Sequence, residues 1–242
     1  MYYTNSQRDD GFGAIFQNII FDILSTEYHG NTFIYTPIKS IDHNYNTDPN
    51  FTNNLEKFMN IKDYYIYPEN VDVNNINTIK CVNSYPFVQA NMDQLFSSES
   101  FKKLKDIFYM NKQSPFDDNY IHISVHIRRP NSRDVRVDGS DTPDSYYIDK
   151  INLIKNSFSD KPLKFHIYSQ GDEANFKSFI SDNTIFHLNE SVESTFLGLV
   201  YANILITSRS SFSYTAGLLS NGTIIYQKFW HPPLNSWIIS ST

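Results

Sequence analysis

Three stretches of this 242-residue chain gather side chains that could handle an anion or a proton. The first is His126-Ile127-Arg128-Arg129, which closes a run whose apolar and polar residues alternate from Ile121 to Ile127. That alternation is the period of a β-strand. In an open parallel sheet ligands bind beyond the carboxyl ends of strands, so the Arg128 guanidinium, with His126 beside it, falls where a crevice would be. Its rigid fork of donors suits a diphosphate. Spacing alone fits a solvated basic pair equally well. The second stretch is Thr207-Ser208-Arg209-Ser210-Ser211-Phe212-Ser213, between an apolar strand and a helix. Unsatisfied N–H groups at a helix start, joined by hydroxyls, form an anion site, whereas N-capping by Ser210 or Ser211 uses only one of the four serines. The third is Gly11-Phe12-Gly13, ahead of the first helix. It lacks the third glycine of a dinucleotide fingerprint and reads as a tight turn along which a substrate could pass.

The chemistry these stretches must serve is narrowed by what the chain lacks. It contains no Gly-rich P-loop, no His-Glu-x-x-His and no Gly-x-Ser-x-Gly. A transferase that holds its diphosphate through a divalent cation needs an Asp-x-Asp-type pair at a buried strand end. Asp117-Asp118 follows Pro115-Phe116 in a turn, and Asp138 and Asp141 lie in a polar loop, so no metal site is expected. His122 and His126 share a strand face without a nearby carboxylate and read as core or crevice histidines rather than ligands. His43, in a loop beyond a strand ending near Tyr35, is open to an acceptor-binding or base role.

The elements that position these residues are regular in the second half. Strands are expected at Ile121–Ile127, Leu163–Tyr168, Thr184–His187, Ile204–Thr207 and Thr223–Tyr226. Between them, helices are expected from a Thr142-Pro143 cap, over Glu173–Ile180, over Val192–Ala202 and over Ser211–Leu219. Such alternation implies right-handed βαβ units and a parallel sheet. Near the N-terminus, Met1–Tyr3 forms a strand and Asp9–Gly13 a turn. Ile15/Phe16, Ile19/Ile20 and Ile23/Leu24 then line one buried face of a helix, and Thr32–Tyr35 forms a second strand. Residues 36–54 read as a long loop, Phe51–Met59 and Ser98–Phe108 as helices, and Asn111–Asn119 as a linker. The expected class is therefore α/β, as one large domain or as two small halves.

Composition sets the outer limits. Hydrophobic content of 40% and aromatic content of 16% require a packed core. A net charge of −6 excludes a general nucleic-acid binder but leaves room for a local cationic clamp. A single cysteine, Cys81, excludes an intrachain disulfide. With no basic, apolar leader and no apolar run near the roughly 20 residues of a membrane helix, the expectation is a cytoplasmic protein without a membrane span.

In this order the pieces resemble the superfamily of α-1,2- and α-1,6-fucosyltransferases and protein O-fucosyltransferases. The match lies in His126-Ile127-Arg128-Arg129 at a strand end and in Tyr146-Tyr147 opening the next helix. It continues in Phe165–Asp172, where a strand ends in Ser169, and in Ser208–Ser213. Gly11-Phe12-Gly13 with Phe16-Gln17 is similar to the N-terminal motif. The sequence departs where Gly-Asp follows the arginine pair in the family. It carries Pro130-Asn131-Ser132-Arg133-Asp134, so Asp134 takes the acid's place from a longer loop. The resemblance implies a GT-B fold of two Rossmann-like halves with parallel sheets, a small acceptor-side one over 1–120 and a nucleotide-sugar-binding one over 121–242. It also implies inverting, metal-independent transfer of a sugar, with fucose from GDP-fucose foremost, to a glycan hydroxyl. Xylosyl, rhamnosyl and hexosyl donors, or a silent carbohydrate- or nucleotide-binding module, remain alternatives. It further implies that His126, Arg128, Ser169, Ser208, Ser210, Ser211, Phe212, Gly11 and Gly13 bind the donor. Arg128 would neutralise the leaving diphosphate, Asp10, His43 or Asp134 would serve as base, and no cofactor would be needed beyond the GDP-sugar substrate.

Overall fold

The computed structural model describes residues 1–69, 71–129, 142–228 and 230–240, so Asp134 and the rest of the 130–141 stretch lie outside the described residues. The chain divides into two compact units, Met1–Gln113 and Ser114–Thr242.

In the first unit, β1 (Tyr2–Asn5) lies between β2 (Thr32–Ile34) and β3 (Ile76–Ile79) in a three-stranded sheet, parallel throughout. Helix α1 (Phe12–Tyr28) connects β1 to β2. Its four-residue apolar beat predicts one buried face, but the helix is buried on all sides between Ile15 and Thr26, Gln17 and Asp22 included. The cause is that helices α3 (Cys81–Ala90) and α5 (Glu99–Tyr109) pack on it in addition to the strands. α2 (Phe51–Met59) anchors the long loop that precedes it. There the Tyr35 hydroxyl (2.5 Å) and the Ile38 N–H (2.7 Å) both donate to Glu56 Oε1. β3, α3 and the short α4 (Met92–Phe96) are absent from the sequence-based expectation. β3 is a four-residue edge strand whose Asn77 and Thr78 are exposed between Ile76 and Ile79, too short to show a period, and Pro86 inside α3 reads as a helix breaker.

The second unit holds a six-stranded sheet formed by β4 (Ile121–His126), β5 (Leu163–Ser169), β6 (Thr184–Leu188), β7 (Ile204–Ile206), β8 (Thr223–Gln227) and β9 (Ile238–Ser240). Their order is β6-β5-β4-β7-β8-β9, and every neighbouring pair is parallel. The chain thus starts in the middle, runs outward through β5 and β6, and returns to the other side of β4. This is the doubly wound order, with its reversal between β4 and β7. The expected α/β class, with parallel sheets in both halves and the smaller sheet first, is the observed one. Helix α6 (Asp144–Ser157) buries Tyr147, Ile151 and Ile154 in a core with Ile123, Val125, Phe165 and Ile167. α7 (Val192–Val200) and α8 (Ser211–Leu219) complete the alternation.

Three local expectations are corrected. Thr142 is not the α6 cap, because its hydroxyl donates to Gln227 Oε1 at 2.5 Å and Pro143 takes the cap position. The segment Glu173–Phe179 is 3₁₀ rather than α-helical, interrupted by non-helical backbone at Phe176, whose ring is fully buried. β9 lies in a C-terminal stretch with no helix between it and β8, so the βαβ pattern does not announce it. Among the described residues, no helix is long and apolar enough to cross a membrane.

Gly222 opens β8 where the chain leaves no room for a side chain. A Cβ there would lie 2.2 Å from the Ala202 carbonyl oxygen and 2.8 Å from that of Asn203. Gly222→Ala is expected to destabilise the chain by about 1–3 kcal/mol in denaturant unfolding, because the obstructing atoms are backbone and cannot rotate away. An unchanged midpoint would contradict the close approach of β7 and β8.

Candidate functional site

The strand-order reversal places the ends of β4 and β7 side by side, and the sequence motifs from these two places meet there. His126 is the last residue of β4, and its Nδ1 lies 2.8 Å from the Ser208 hydroxyl, two residues beyond β7. Ser208 is held in turn by Ser213, whose Oγ accepts from the Ser208 N–H at 3.2 Å and donates to the Ser208 carbonyl at 3.3 Å. Ser210 caps α8, its Oγ accepting from the Phe212 N–H at 3.2 Å. Ser211 is the first helical residue and is half-buried. The Phe212 ring packs 5.5 Å from the His126 ring and 5.3 Å from Phe196. His126, Ser208, Ser210, Ser211 and Phe212, drawn from segments about eighty residues apart, thus form one local constellation.

The two arginines divide the work. Arg129 pairs with Asp144 in the first turn of α6 and sits over the Phe176 ring, 5.5 Å from its centre. It is a structural tie. Arg128 is half-buried one residue earlier, and its charge is felt by His126. Although His126 as a whole keeps some exposed surface, desolvation of its ring, and then the Arg128 cation, push its pKa down to about 3. The imidazole beside Arg128 is therefore neutral near pH 7, and the local cation is arginine.

Ser169 ends β5, but its hydroxyl donates to the Ile127 carbonyl at 2.6 Å and so ties β5 to β4. Arg209 is a residue the sequence reading passed over, as a mere member of the serine string. Its Nε is buried and has no hydrogen-bond partner among the described residues. A buried donor left unpaired costs roughly 1–3 kcal/mol, more when it belongs to a charged group, so such a nitrogen next to a helix start points to an anion. The available signal was its position, a lone cation directly ahead of the Ser210 cap.

In the first unit, the structure brings together Asp10, Gly11 and His43. Gly11 is the α1 cap residue and bridges to Asp42, whose N–H donates to the Asp10 carbonyl at 2.9 Å. A Cβ on Gly11 would lie 2.6 Å from His43 Cδ2, so only glycine admits the imidazole. Asp10 accepts from the Gly11 N–H and from Arg8, each at 2.8 Å, and His43 Nδ1 lies 2.7 Å from the Tyr45 hydroxyl. Gly13 is corrected: it is not in the turn but buried in the first turn of α1.

No family model matches the chain, and no curated protein sequence matches it. Solved structures similar to it include the NodZ α-1,6-fucosyltransferase co-crystallised with GDP, at 14% identity and a TM-score of 0.48, covering 93% of this chain and 94% of that one. A structure of the Bradyrhizobium fucosyltransferase NodZ is similar at 12% identity and a TM-score of 0.44, over 92% and 94% of the respective chains. The E. coli heptosyltransferase WaaC with ADP is similar at 9% identity and a TM-score of 0.44, over 96% and 89%. None of these likenesses assigns an activity to the chain.

The environment of His126 carries a pH signature. Between its ordinary 6.5 and about 3 the unfolded chain holds a proton that the folded ring refuses, so this residue's contribution to stability is lost progressively as pH falls through that window. Ring ¹⁵N shifts are expected to show His126 neutral down to pH 4. A midpoint near 6.5 would contradict its burial beside Arg128.

Proposed function

We propose that the chain is an inverting glycosyltransferase that uses a nucleotide sugar, foremost GDP-fucose, and acts without a metal ion. The observation that supports this reading is the His126–Ser208 bond across the strand-order reversal, which joins the strand leading into Arg128 to the turn that caps α8, at the edge where an open parallel sheet binds its ligands. Donor binding is assigned to Arg128, Arg209 and the Ser210–Phe212 helix start, with Ser208 and His126 shaping the floor. Gly11 is assigned to the acceptor side with Asp10 and His43.

In the proposed reaction an acceptor hydroxyl attacks the anomeric carbon. Its proton passes to a base, the new carbon–oxygen bond forms, and the bond to phosphate breaks with its electron pair leaving on the diphosphate. Asp10, His43 and Asp134 are the proposed bases. Charge gathering on the diphosphate is met by Arg128 and by the positive end of α8. A neutral His126 suits this task. It can exchange a hydrogen bond with Ser208 without adding a proton-dependent charge to the fixed charge of arginine beside the phosphates.

Two other readings are separated by the same assay. With purified chain, a glycan acceptor and a panel of GDP- and UDP-sugars, release of free nucleotide identifies the donor and shows turnover. A binding module holds nucleotide and releases none. Arg128→Ala is expected to reduce turnover by about 100-fold or more, the usual consequence of removing an oriented group that meets developing charge. Near-wild-type turnover would refute the assignment of Arg128.

A further inference from the structure

Away from the proposed site, the face of the second sheet carries three histidines in one unbroken hydrogen-bonded line. His122 Nδ1 lies 2.9 Å from His166 Nε2, and His166 Nδ1 lies 2.9 Å from His187 Nε2. The outer ends are closed by acceptors: His122 Nε2 is 3.0 Å from the Asp117 carbonyl oxygen, and His187 Nδ1 is 2.7 Å from Glu190 Oε1. His122 and His166 are each 4% exposed. Phe116 stacks on His122 with ring centres 4.5 Å apart, and Tyr168 stacks on His187 at 4.4 Å. The rings sit on β4, β5 and β6 in turn, on a diagonal set by the strand register.

Counting protons along this line gives a definite result. A backbone carbonyl can only accept, so His122 Nε2 must carry a hydrogen. Glu190 is an acceptor too. Burial opposes its ionisation, but bonds from Ser194 and His187 outweigh that and hold its carboxyl below the ordinary range. His187 Nδ1 therefore carries a hydrogen as well. Each of the two nitrogen–nitrogen contacts needs one more. Four hydrogens are required, and three neutral imidazoles supply three. A fifth would set two N–H groups against each other at one contact.

We propose that the line Asp117–His122–His166–His187–Glu190 holds one excess proton, shared between His122 and His187 through His166. When His187 is the cation, each ring donates in the direction of His122. When His122 is the cation, each donates in the direction of Glu190. A concerted shift of two protons, one across each nitrogen–nitrogen contact, converts one state into the other and creates no net charge. The shared proton couples the 114–120 segment, three strands and the Glu190 turn.

Its surroundings favour one charge and resist more. The charged groups facing the line among the described residues are the Asp117 carboxylate, 3.8 Å from His122 Nε2, Glu190, and Lys164 on β5, which acts on His166. Tyr120 and Tyr168 are the neighbouring phenols, and α7 contributes the Ser194 hydroxyl on Glu190 Oε2 at 2.6 Å. Burial first, then the neighbouring histidines and Lys164, push the His166 pKa down to about 3, so the middle ring passes the proton without keeping it. As pH rises the line releases its one proton, and one of its four bonds is lost.

The test is a titration of the full chain labelled with ¹⁵N in its histidine rings. His122 and His187 are expected to move with one common midpoint, their shifts together amounting to a single imidazolium while His166 stays neutral. Shifts of the two end rings that together amount to two imidazoliums, or to none, between pH 5 and 8 would overturn the proposal. His166→Phe is expected to uncouple them into two separate titrations, each complete, and persistence of the common midpoint would count against the relay. Glu190→Gln is expected to lower that midpoint by about one pH unit, and no shift would remove Glu190 from the line. Should a variant fail to fold, the wild-type titration decides alone.

Discussion

The reversal of strand order between β4 and β7 is the constraint on which the second unit depends. A parallel sheet that starts at its centre and grows outward on both sides must leave its two central strands with connections that depart in opposite directions. The ends of those strands therefore lie side by side. Here they are joined by the bond from His126 to Ser208, and each partner is fixed from behind. β4 is held on both sides by β5 and β7, and Ser208 is held by Ser213 from within α8. Slipping β4 by one residue would turn Ile123 and Val125, both fully buried, out of the core, so the register that buries them also aims His126.

Electrostatics follow from that placement. The chain as a whole is acidic, at −6, yet arginines follow the ends of both strands, Arg128 after β4 and Arg209 after β7. Arg129 is tied to Asp144 and Phe176. The histidine between the two strands is kept neutral, and the serine hydroxyls bear no charge. A site of this kind offers fixed positive charge to an anion while holding little that titrates near neutrality. The protein's other histidine cluster, on the face of β4, β5 and β6, is arranged differently, since its bonds need a proton to be complete.

Much of this was legible in the sequence, and what was not has physical causes. Buried parallel strands read as apolar runs, and the Ser210 cap marks the start of α8, so most of the second unit is visible from residue order alone. The meeting of His126 with Ser208 is not, because it depends on β7 inserting beside β4 rather than beside β6. The diagonal of His122, His166 and His187 is hidden for a similar reason, since it requires the register of three strands. In the first unit, Asp10, Gly11 and His43 were each visible as candidates, but the packing of an imidazole on a glycine shows only in three dimensions. β3 escaped notice because a four-residue edge strand, with exposed Asn77 and Thr78 between its two isoleucines, is too short to show a period.

The central claim is that the crevice between β4 and β7 receives the diphosphate of a nucleotide sugar. A crystal structure of the chain grown with GDP tests it most directly. The phosphates are expected within hydrogen-bond distance of the Arg128 guanidinium and the N–H groups at the start of α8, with Arg209 Nε turned onto an oxygen. Well-ordered GDP bound elsewhere, with Arg128 and Ser210–Phe212 untouched, would contradict it.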